Sequence, residues 1–218
     1  MTPPEPVFPT DLFEDRKAMP LAPGAVLLGG FAAAETDTLL AAIRHIDITA
    51  PFRRMITPGG WPMSVAMTNC GGVGWVTDRS GYRYDPIDPE TGMPWPVMPQ
   101  SFRSLAARAA EIAGFPAFDP DSCLINWYEP GSRLSLHQDR NERDFDVPIV
   151  SVSLGLPATF LWGGAIRGAK PTRIRLFHGD VVVWGGPARL TFHGIDTLGG
   201  GKSPAGVFRY NLTFRTAR

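Results

Sequence analysis

The sequence predicts an α+β protein, mainly β, in which two helices buttress one C-terminal β core of jelly-roll type. Three observations carry this. From Asp121 onward, short runs of β-favouring residues recur between turn residues, the spacing of a sandwich or barrel with Greek-key connections. Upstream, two segments place apolar residues at helical spacing. The length, 218 residues, suits one sizeable core or one core with a small addition.

Taken in chain order, residues 1–24 contain six prolines, which interrupt any ladder and predict a loosely structured lead-in. Residues 25–218 then form a single domain. Its first helix runs through "ETDTLLAAIRHI", with Leu39, Leu40, Ile43 and Ile46 as the apolar stripe. The second is "PQSFRSLAARAAEIAGF", with Phe102, Leu105, Ala109 and Ile112 on one face and Gly114 as its stop. Between them, residues 51–98 are rich in turn formers and aromatics, which predicts hairpins and loops. The strands, at about 121–215, are "CLINWYEPG", "RLSLHQD", "PIVSVSLG", "ATFLWGG", "TRIRLFHGD", "VVVWGGP", "RLTFHGI" and "GVFRYNLTFR".

Composition narrows the function. The chain is 44% hydrophobic and 19% charged, with 21 Lys+Arg against 21 Asp+Glu. No global field steers it to a polyanion, which argues against a protein that coats nucleic acid but leaves a local contact open. Two distant cysteines, Cys70 and Cys123, predict free thiols and a reducing compartment rather than a disulfide scaffold. The acidic, proline-rich start has no signal-peptide character and no run approaches membrane-spanning length, so a cytoplasmic protein without a membrane partner is expected.

In "LSLHQDRNE", His137 and Asp139 share a strand face if the strand continues to Asp139. Alone, such a pair is more often a strand's wet side than a metal site. Of the four histidines, His45 lies in the first helix and has no assigned role, and His178 reads as a hairpin-turn residue. His193, ending the short strand "RLTFHGI", is the third candidate ligand. Two neutral imidazoles and a carboxylate occupy one face of an octahedral ion and suit Fe(II), the arrangement of non-haem iron oxygenases. A hydrolytic zinc ion could use the same ligands, so the triad leaves both chemistries open.

The last strand points further. In "VFRYNLTFR", Phe208, Tyr210, Leu212 and Phe214 share the core face, and Arg209, Asn211, Thr213 and Arg215 share the other. An exposed polar face is the commoner use of such a pattern. If that face instead lines a cavity between sheets, two guanidiniums there need anions, and a small dicarboxylate would satisfy them through planar, bidentate bonds. Residues six apart on a strand lie roughly 20 Å apart, so the two side chains would have to converge. Asn126 and Tyr128, in "LINWY", could cap a strand or serve as neutral donors to the same anion.

With these residues in view, "MSVAMTNCG", "LINWYEPGSRLSLHQDRNE", "PIVSVSLGLPATF", "HGDVVVWGG" and "RYNLTFR" resemble the AlkB family of Fe(II)- and 2-oxoglutarate-dependent DNA repair dioxygenases, from about Phe52 to Arg215. The resemblance implies a double-stranded β-helix under a nucleotide-recognition lid formed by about residues 51–98. It implies Fe(II) held by the catalytic His137, Asp139 and His193, and 2-oxoglutarate held by Asn126, Tyr128, Arg209, Asn211 and Arg215, with O2 as second cosubstrate. Arg209 would grip the distal carboxylate and Arg215 would serve the metal end. The implied reaction removes methyl groups from bases such as 1-methyladenine and 3-methylcytosine in DNA, with formaldehyde, succinate and CO2 as products. The implied partner is alkylated DNA, single-stranded or with the base flipped out, with RNA as a further option and the protein a monomer.

The lid offers Trp61, Trp75, Tyr82 and Tyr84, which could equally fill a small subsidiary core. By resemblance, Trp75 stacks on the base opposite His137, Met63 and Tyr82 line the pocket, and Arg167 lies near the substrate. Three departures stand out. Asn141 replaces a family aspartate that recognises the adenine amine, so it keeps an accepting oxygen but loses the charge. That change predicts an active enzyme with an altered balance between 1-methyladenine and 3-methylcytosine, unless Glu142 substitutes through a loop shift. Trp61 is larger than its family counterpart, and the first 20 residues and "DTLGGGKSPAG" diverge with no readable chemistry. Two rival readings are a 2-oxoglutarate hydroxylase acting on RNA or protein, and a non-catalytic metal-binding jelly roll. The latter leaves Arg209 and Arg215 without a purpose.

Overall fold

A computed structural model describes residues 18–218. In chain order the strands and helices begin with β1 (Met19–Ala22), β2 (Ala25–Leu28), α1 (Thr36–Thr49), β3 (Ala66–Gly71), β4 (Gly74–Asp78), β5 (Gly81–Asp85) and α2 (Gln100–Ile112). They continue with β6 (Ser122–Tyr128), β7 (Leu134–His137), β8 (Ile149–Gly155), β9 (Ala158–Trp162), β10 (Thr172–Leu176), β11 (Val181–Trp184), β12 (His193–Ile195) and β13 (Arg209–Arg215). The major sheet has the order β1-β2-β11-β8-β13-β6-β3, the minor sheet β10-β9-β12-β7, and β4-β5 is a separate hairpin. Every pairing is antiparallel. Non-consecutive neighbours in both sheets make the jelly roll.

Strand alternation explains the layers. Outward-facing Ile125, Val150, Val152, Val181, Val183, Leu212 and Phe214 of the major sheet pack with Leu39, Ile43 and Ile46 of α1 and Phe102, Leu105 and Ala109 of α2. On the sheet's other face, Leu124, Tyr128, Val182 and Trp184 meet Phe160, Trp162, Ile174 and Ile195 of the minor sheet. Both faces of the major sheet are therefore covered, which is why its strands are buried on both sides. The polar face of β13 lies between the sheets, with Arg209 only 1% and Arg215 only 5% exposed. The exposed-face reading of that strand is thereby excluded.

Four local expectations need correction. Met19–Ala22, within the predicted loose lead-in, forms β1, because Pro20 sits on the sheet's edge where the missing N–H breaks no interior ladder. The rest of that lead-in, residues 1–17, lies outside the described residues. Ile112, assigned to the α2 core stripe, is 63% exposed. It is the last residue of the helix, at the margin of a stripe centred on Phe102, Ala106 and Ala109. β7 stops at His137, so Asp139 reaches the site from the following loop. His193 opens its strand rather than ending it. Gly114 does follow α2, with φ +87°, the left-handed conformation glycine adopts without strain. Cys70 and Cys123 are buried and free, and no helix among the described residues is long and apolar enough to cross a membrane.

Candidate metal centre and substrate cavity

The pairing of β7 with β12 sets His137 directly opposite His193, their ring centroids 4.5 Å apart. His137 Nδ1 lies 2.9 Å from Ser135 O, and His193 Nδ1 lies 3.0 Å from Thr191 O. A backbone carbonyl only accepts, so each Nδ1 carries a proton, and in the neutral ring Nε2 is the atom whose lone pair is left for a metal. Asp139 completes the set: its Oδ1 is 3.7 Å from His137 Nε2 and its Oδ2 is 3.7 Å from His193 Nε2. The donor atoms all fall within 4.8 Å of one another. Two neutral imidazoles and one carboxylate on one side of a shared point fit a divalent ion with open positions.

The surrounding charges hold these states. Burial, aided by His137, pushes His193 down to about 4, so it is neutral at physiological pH. Burial alone would raise the Asp139 pKa, but the Arg215 guanidinium outweighs it and holds the carboxyl well below its usual range. Arg215 donates to Asp139 Oδ2 from Nε at 3.2 Å and Nη2 at 2.8 Å. Glu142 stands behind this pair. It accepts from Arg189 Nη2 at 3.1 Å and lies 3.4 Å from Arg215 Nε, while the Tyr84 hydroxyl donates to its Oε1. Arg189 also donates from Nη1 to the Asp139 carbonyl at 2.8 Å. Two buried guanidiniums thus face two buried carboxylates, and their hydrogen bonds pin both ends of the metal aspartate.

The rest of the inner face forms the other wall. Asn211 lies opposite Asn126 and Ser153 in the ladders. Its Nδ2 donates to Ser151 Oγ and Val152 O, and its Oδ1 accepts from Asn126 Nδ2 at 3.2 Å and Thr213 Oγ1 at 2.9 Å. Arg209 sits 5.3 Å over the Tyr128 ring and donates only from Nη2, to Ser153 Oγ at 2.9 Å. Its Nε and Nη1 are buried without a hydrogen-bond partner. A fully buried, incompletely paired guanidinium facing a polar wall fits a bound carboxylate. Arg215 is ion-paired with Asp139 and neighbours Glu142, and its Nη1 alone is left buried without a hydrogen-bond partner.

A further wall is carried by the β4–β5 hairpin. Trp75 and Tyr82 stack with centroids 5.6 Å apart. Asn69 clamps the Trp75 backbone through Nδ2 to O and N to Oδ1 bonds, both 3.0 Å. A Cβ at Gly74 would lie 2.4 Å from the Trp95 ring, so only glycine lets the hairpin seat on that indole. Trp75 Nε1 donates to Asn141 Oδ1 at 3.2 Å, tying hairpin to metal loop.

One cavity of about 750 Å³ opens between these walls. It is lined by all the residues that the sequence singled out for metal, cosubstrate and substrate: His137, Asp139 and His193; Asn126, Tyr128, Arg209, Asn211 and Arg215; and Met63, Trp75, Tyr82, Asn141 and Arg167. Of the four lid aromatics, Trp75 and Tyr82 line it, Tyr84 is taken by Glu142, and Trp61 is 75% exposed outside it. Glu142 is buried away from the cavity, so it cannot stand in for a carboxylate at position 141. Sequence reasoning missed Ser151, Ser153 and Arg189. The serines alternate in "IVSVSLG" as Asn126 and Tyr128 do and were findable by the same rule, whereas nothing in "GPARLTF" marks a buried arginine.

Facing histidines, a carboxylate, an open coordination side and a buried guanidinium between two β-sheets define a 2-oxoglutarate-dependent non-haem iron oxygenase. Comparison with known proteins agrees: residues 24–215 match the 2OG-Fe(II) oxygenase superfamily. The chain is 57% identical over 210 residues to the alpha-ketoglutarate-dependent dioxygenase AlkB of Escherichia coli K12, covering 95% of this chain and 97% of that protein. It is 49% identical over 172 residues to the AlkB homolog of Caulobacter vibrioides, covering 78% and 76%. The solved structure of OsALKBH1 superposes with a TM-score of 0.79 at 28% identity, over 91% of this chain and all of that one. The chain belongs to the AlkB family of the 2OG-Fe(II) oxygenase superfamily. It is a dioxygenase whose metal is Fe(II) and whose cosubstrates are 2-oxoglutarate and O2.

Proposed function

We propose that this dioxygenase removes N-alkyl groups from bases in nucleic acid, DNA first, including 1-methyladenine and 3-methylcytosine, with release of formaldehyde, succinate and CO2. The observation that carries the reading is the stacked Trp75–Tyr82 pair, which lines the same cavity as the His137, Asp139 and His193 donors. An aromatic floor beside a metal centre suits a planar base held edge-on to the reacting position. A stacked duplex base cannot enter such a cavity, so the substrate is single-stranded or its base is flipped out.

His137, Asp139 and His193 would hold Fe(II) through the two Nε2 atoms and the carboxylate. Fe(II) with 2-oxoglutarate and oxygen supplies the oxidising power that hydroxylates the N-methyl group, which is then lost as formaldehyde. Arg209 would receive the distal carboxylate of 2-oxoglutarate, with Asn126, Tyr128 and Asn211 shaping the wall beside it. Arg215 keeps Asp139 ionised, and Arg189 holds its backbone carbonyl. The Trp75 indole covers one face of the base, with Met63, Tyr82 and Arg167 around it. Mass analysis of oligonucleotides carrying one defined N-methyl lesion, as DNA and as RNA, tests the reading. Restored base with 2-oxoglutarate and Fe(II) supports it, better turnover on RNA would move the duty there, and no restored base on any lesion would refute it.

A further inference from the structure

The β4–β5 hairpin joins neither of the two larger sheets, although its Trp75 and Tyr82 line the cavity. A lone two-stranded ribbon is marginally stable in water, so contacts outside its own ladder must fix its place beside the metal donors. The second strand has anchors of its own: Trp95 Nε1 donates to Asp85 O at 2.9 Å, and the Tyr84 hydroxyl donates to Glu142. The first strand is held by Thr77, whose hydroxyl donates to Ile56 O at 3.2 Å, and at Trp75 itself by Asn69. Asn69 belongs to β3, the edge strand of the major sheet.

Asn69 does at Trp75 what a missing strand would do. Its Nδ2 donates to Trp75 O and its Oδ1 accepts from Trp75 N, both at 3.0 Å, so one side chain supplies the donor and the acceptor of a ladder partner. A main-chain N–H and C=O match the amide in one orientation alone, which fixes it. A Cβ at Gly74 would lie 2.8 Å from Asn69 Cβ, so strand and hairpin meet without slack. Asn69 is fully buried and does not line the cavity, so it acts on the site only through its neighbours. At the far end of the same residue, Trp75 Nε1 donates to Asn141 Oδ1 at 3.2 Å. The two backbone bonds set where the indole starts, and the ring bond sets how far it turns.

We propose that Asn69 is a positioning residue for the reaction: it sets the Trp75 indole at the height and angle at which a base stacks beside the metal donors. The proposal deepens the base-demethylase reading and rests on it. Asn69→Leu keeps the volume and removes both bonds, so the Trp75 main chain loses its partner. A displacement of about 1 Å at a reacting group can cost about 100-fold in rate, while the metal donors stand on β7, β12 and the loop after β7, away from the change. Formaldehyde formed per succinate, on a single-stranded oligonucleotide with one 1-methyladenine, should therefore fall about threefold or more. On the anaerobic Fe(II)- and 2-oxoglutarate-loaded protein, affinity for that oligonucleotide over its unmethylated counterpart should fall about fivefold or more, the scale of a lost base–aromatic stack. Because Asn69 acts through the indole, the same substitution in a Trp75→Ala background should cost less than about twofold more. Losses that multiply in the double variant would overturn the proposal and leave the demethylase reading standing. So would formaldehyde-to-succinate and affinity ratios that both stay within about twofold of wild type. Should Asn69→Leu fail to fold, Asn69→Ala carries the same comparisons. No formaldehyde from any methylated base with the wild type would overturn the demethylase reading instead, and the anaerobic affinities of the single and double variants would still decide the role of Asn69.

Discussion

Replacing Glu142 with glutamine tests how the metal aspartate is held. Glu142 and Arg189 each have side chains only 2% exposed, and Glu142 also neighbours Arg215 at 3.4 Å. In the native protein two carboxylates balance two guanidiniums. The glutamine keeps the shape but leaves Arg189 buried without an anion. Removing one partner of such a pair costs about 3–5 kcal/mol. For a chain of this length each kcal/mol lowers Tm by about 2–4 °C, so a fall of roughly 6–20 °C is expected. Because Arg189 also donates to the Asp139 carbonyl at 2.8 Å, the loss should spread to the metal loop. Fe(II) affinity should weaken about 10–100-fold, the usual effect of removing such outer support. Differential scanning fluorimetry of the metal-free protein and anaerobic Fe(II) titration read the two effects separately. Adding Arg189→Met should recover much of the lost Tm, since it removes the stranded charge, but not the iron affinity. A Tm change under about 2 °C in Glu142→Gln would refute the account of this network.

Two further perturbations probe separate parts of the structure. Arg209→Met removes a buried guanidinium with two unpartnered nitrogens. The ligand-free Tm should stay level or rise, while KM for 2-oxoglutarate rises tenfold or more and the thermal stabilisation by 2-oxoglutarate disappears; an unchanged KM would contradict the assignment. His178 accepts from the Gly155 N–H at 2.9 Å through Nδ1, and burial lowers its pKa. Its folded pKa lies below the unfolded value of about 6.5, so the unfolded chain takes up the proton first and this contribution to stability, complete above that pH, is lost as pH falls below it. His178→Asn keeps an accepting atom and cannot titrate, so the drop in Tm between pH 7 and pH 5 should be smaller than in wild type. Equal slopes would show that His178 does not carry this dependence.

The metal triad was legible because its parts are local or rare: an alternating strand ending in His137, and a single further β-region histidine that no turn explained. The two-faced pattern of β13 was equally plain, but its meaning was not. Whether Arg209 and Arg215 face water or a cavity depends on a second sheet, and strand order is set by pairings between residues far apart in the chain. Those same long-range contacts decide that Arg215 is neutralised within the protein while Arg209 is not. The Glu142–Arg189–Tyr84 network was illegible for a stronger reason. Its members come from a hairpin, the loop after β7 and the turn before β12, and none carries a periodic signal. Met19–Ala22 was misread because prolines that exclude an interior strand are tolerated at an edge. The orientation of the Asn141 amide could come only from seeing the Trp75 indole beside it.

The central claim is that the His137–Asp139–His193 centre couples consumption of 2-oxoglutarate to removal of a base methyl group. Its most direct test is the stoichiometry of succinate and formaldehyde released during turnover of a single-stranded oligonucleotide bearing one N-methylated base. The account predicts one formaldehyde per succinate, with both lost in a His137→Ala protein that keeps its native circular dichroism. Succinate release without matching formaldehyde, or formaldehyde that persists in His137→Ala, would contradict it.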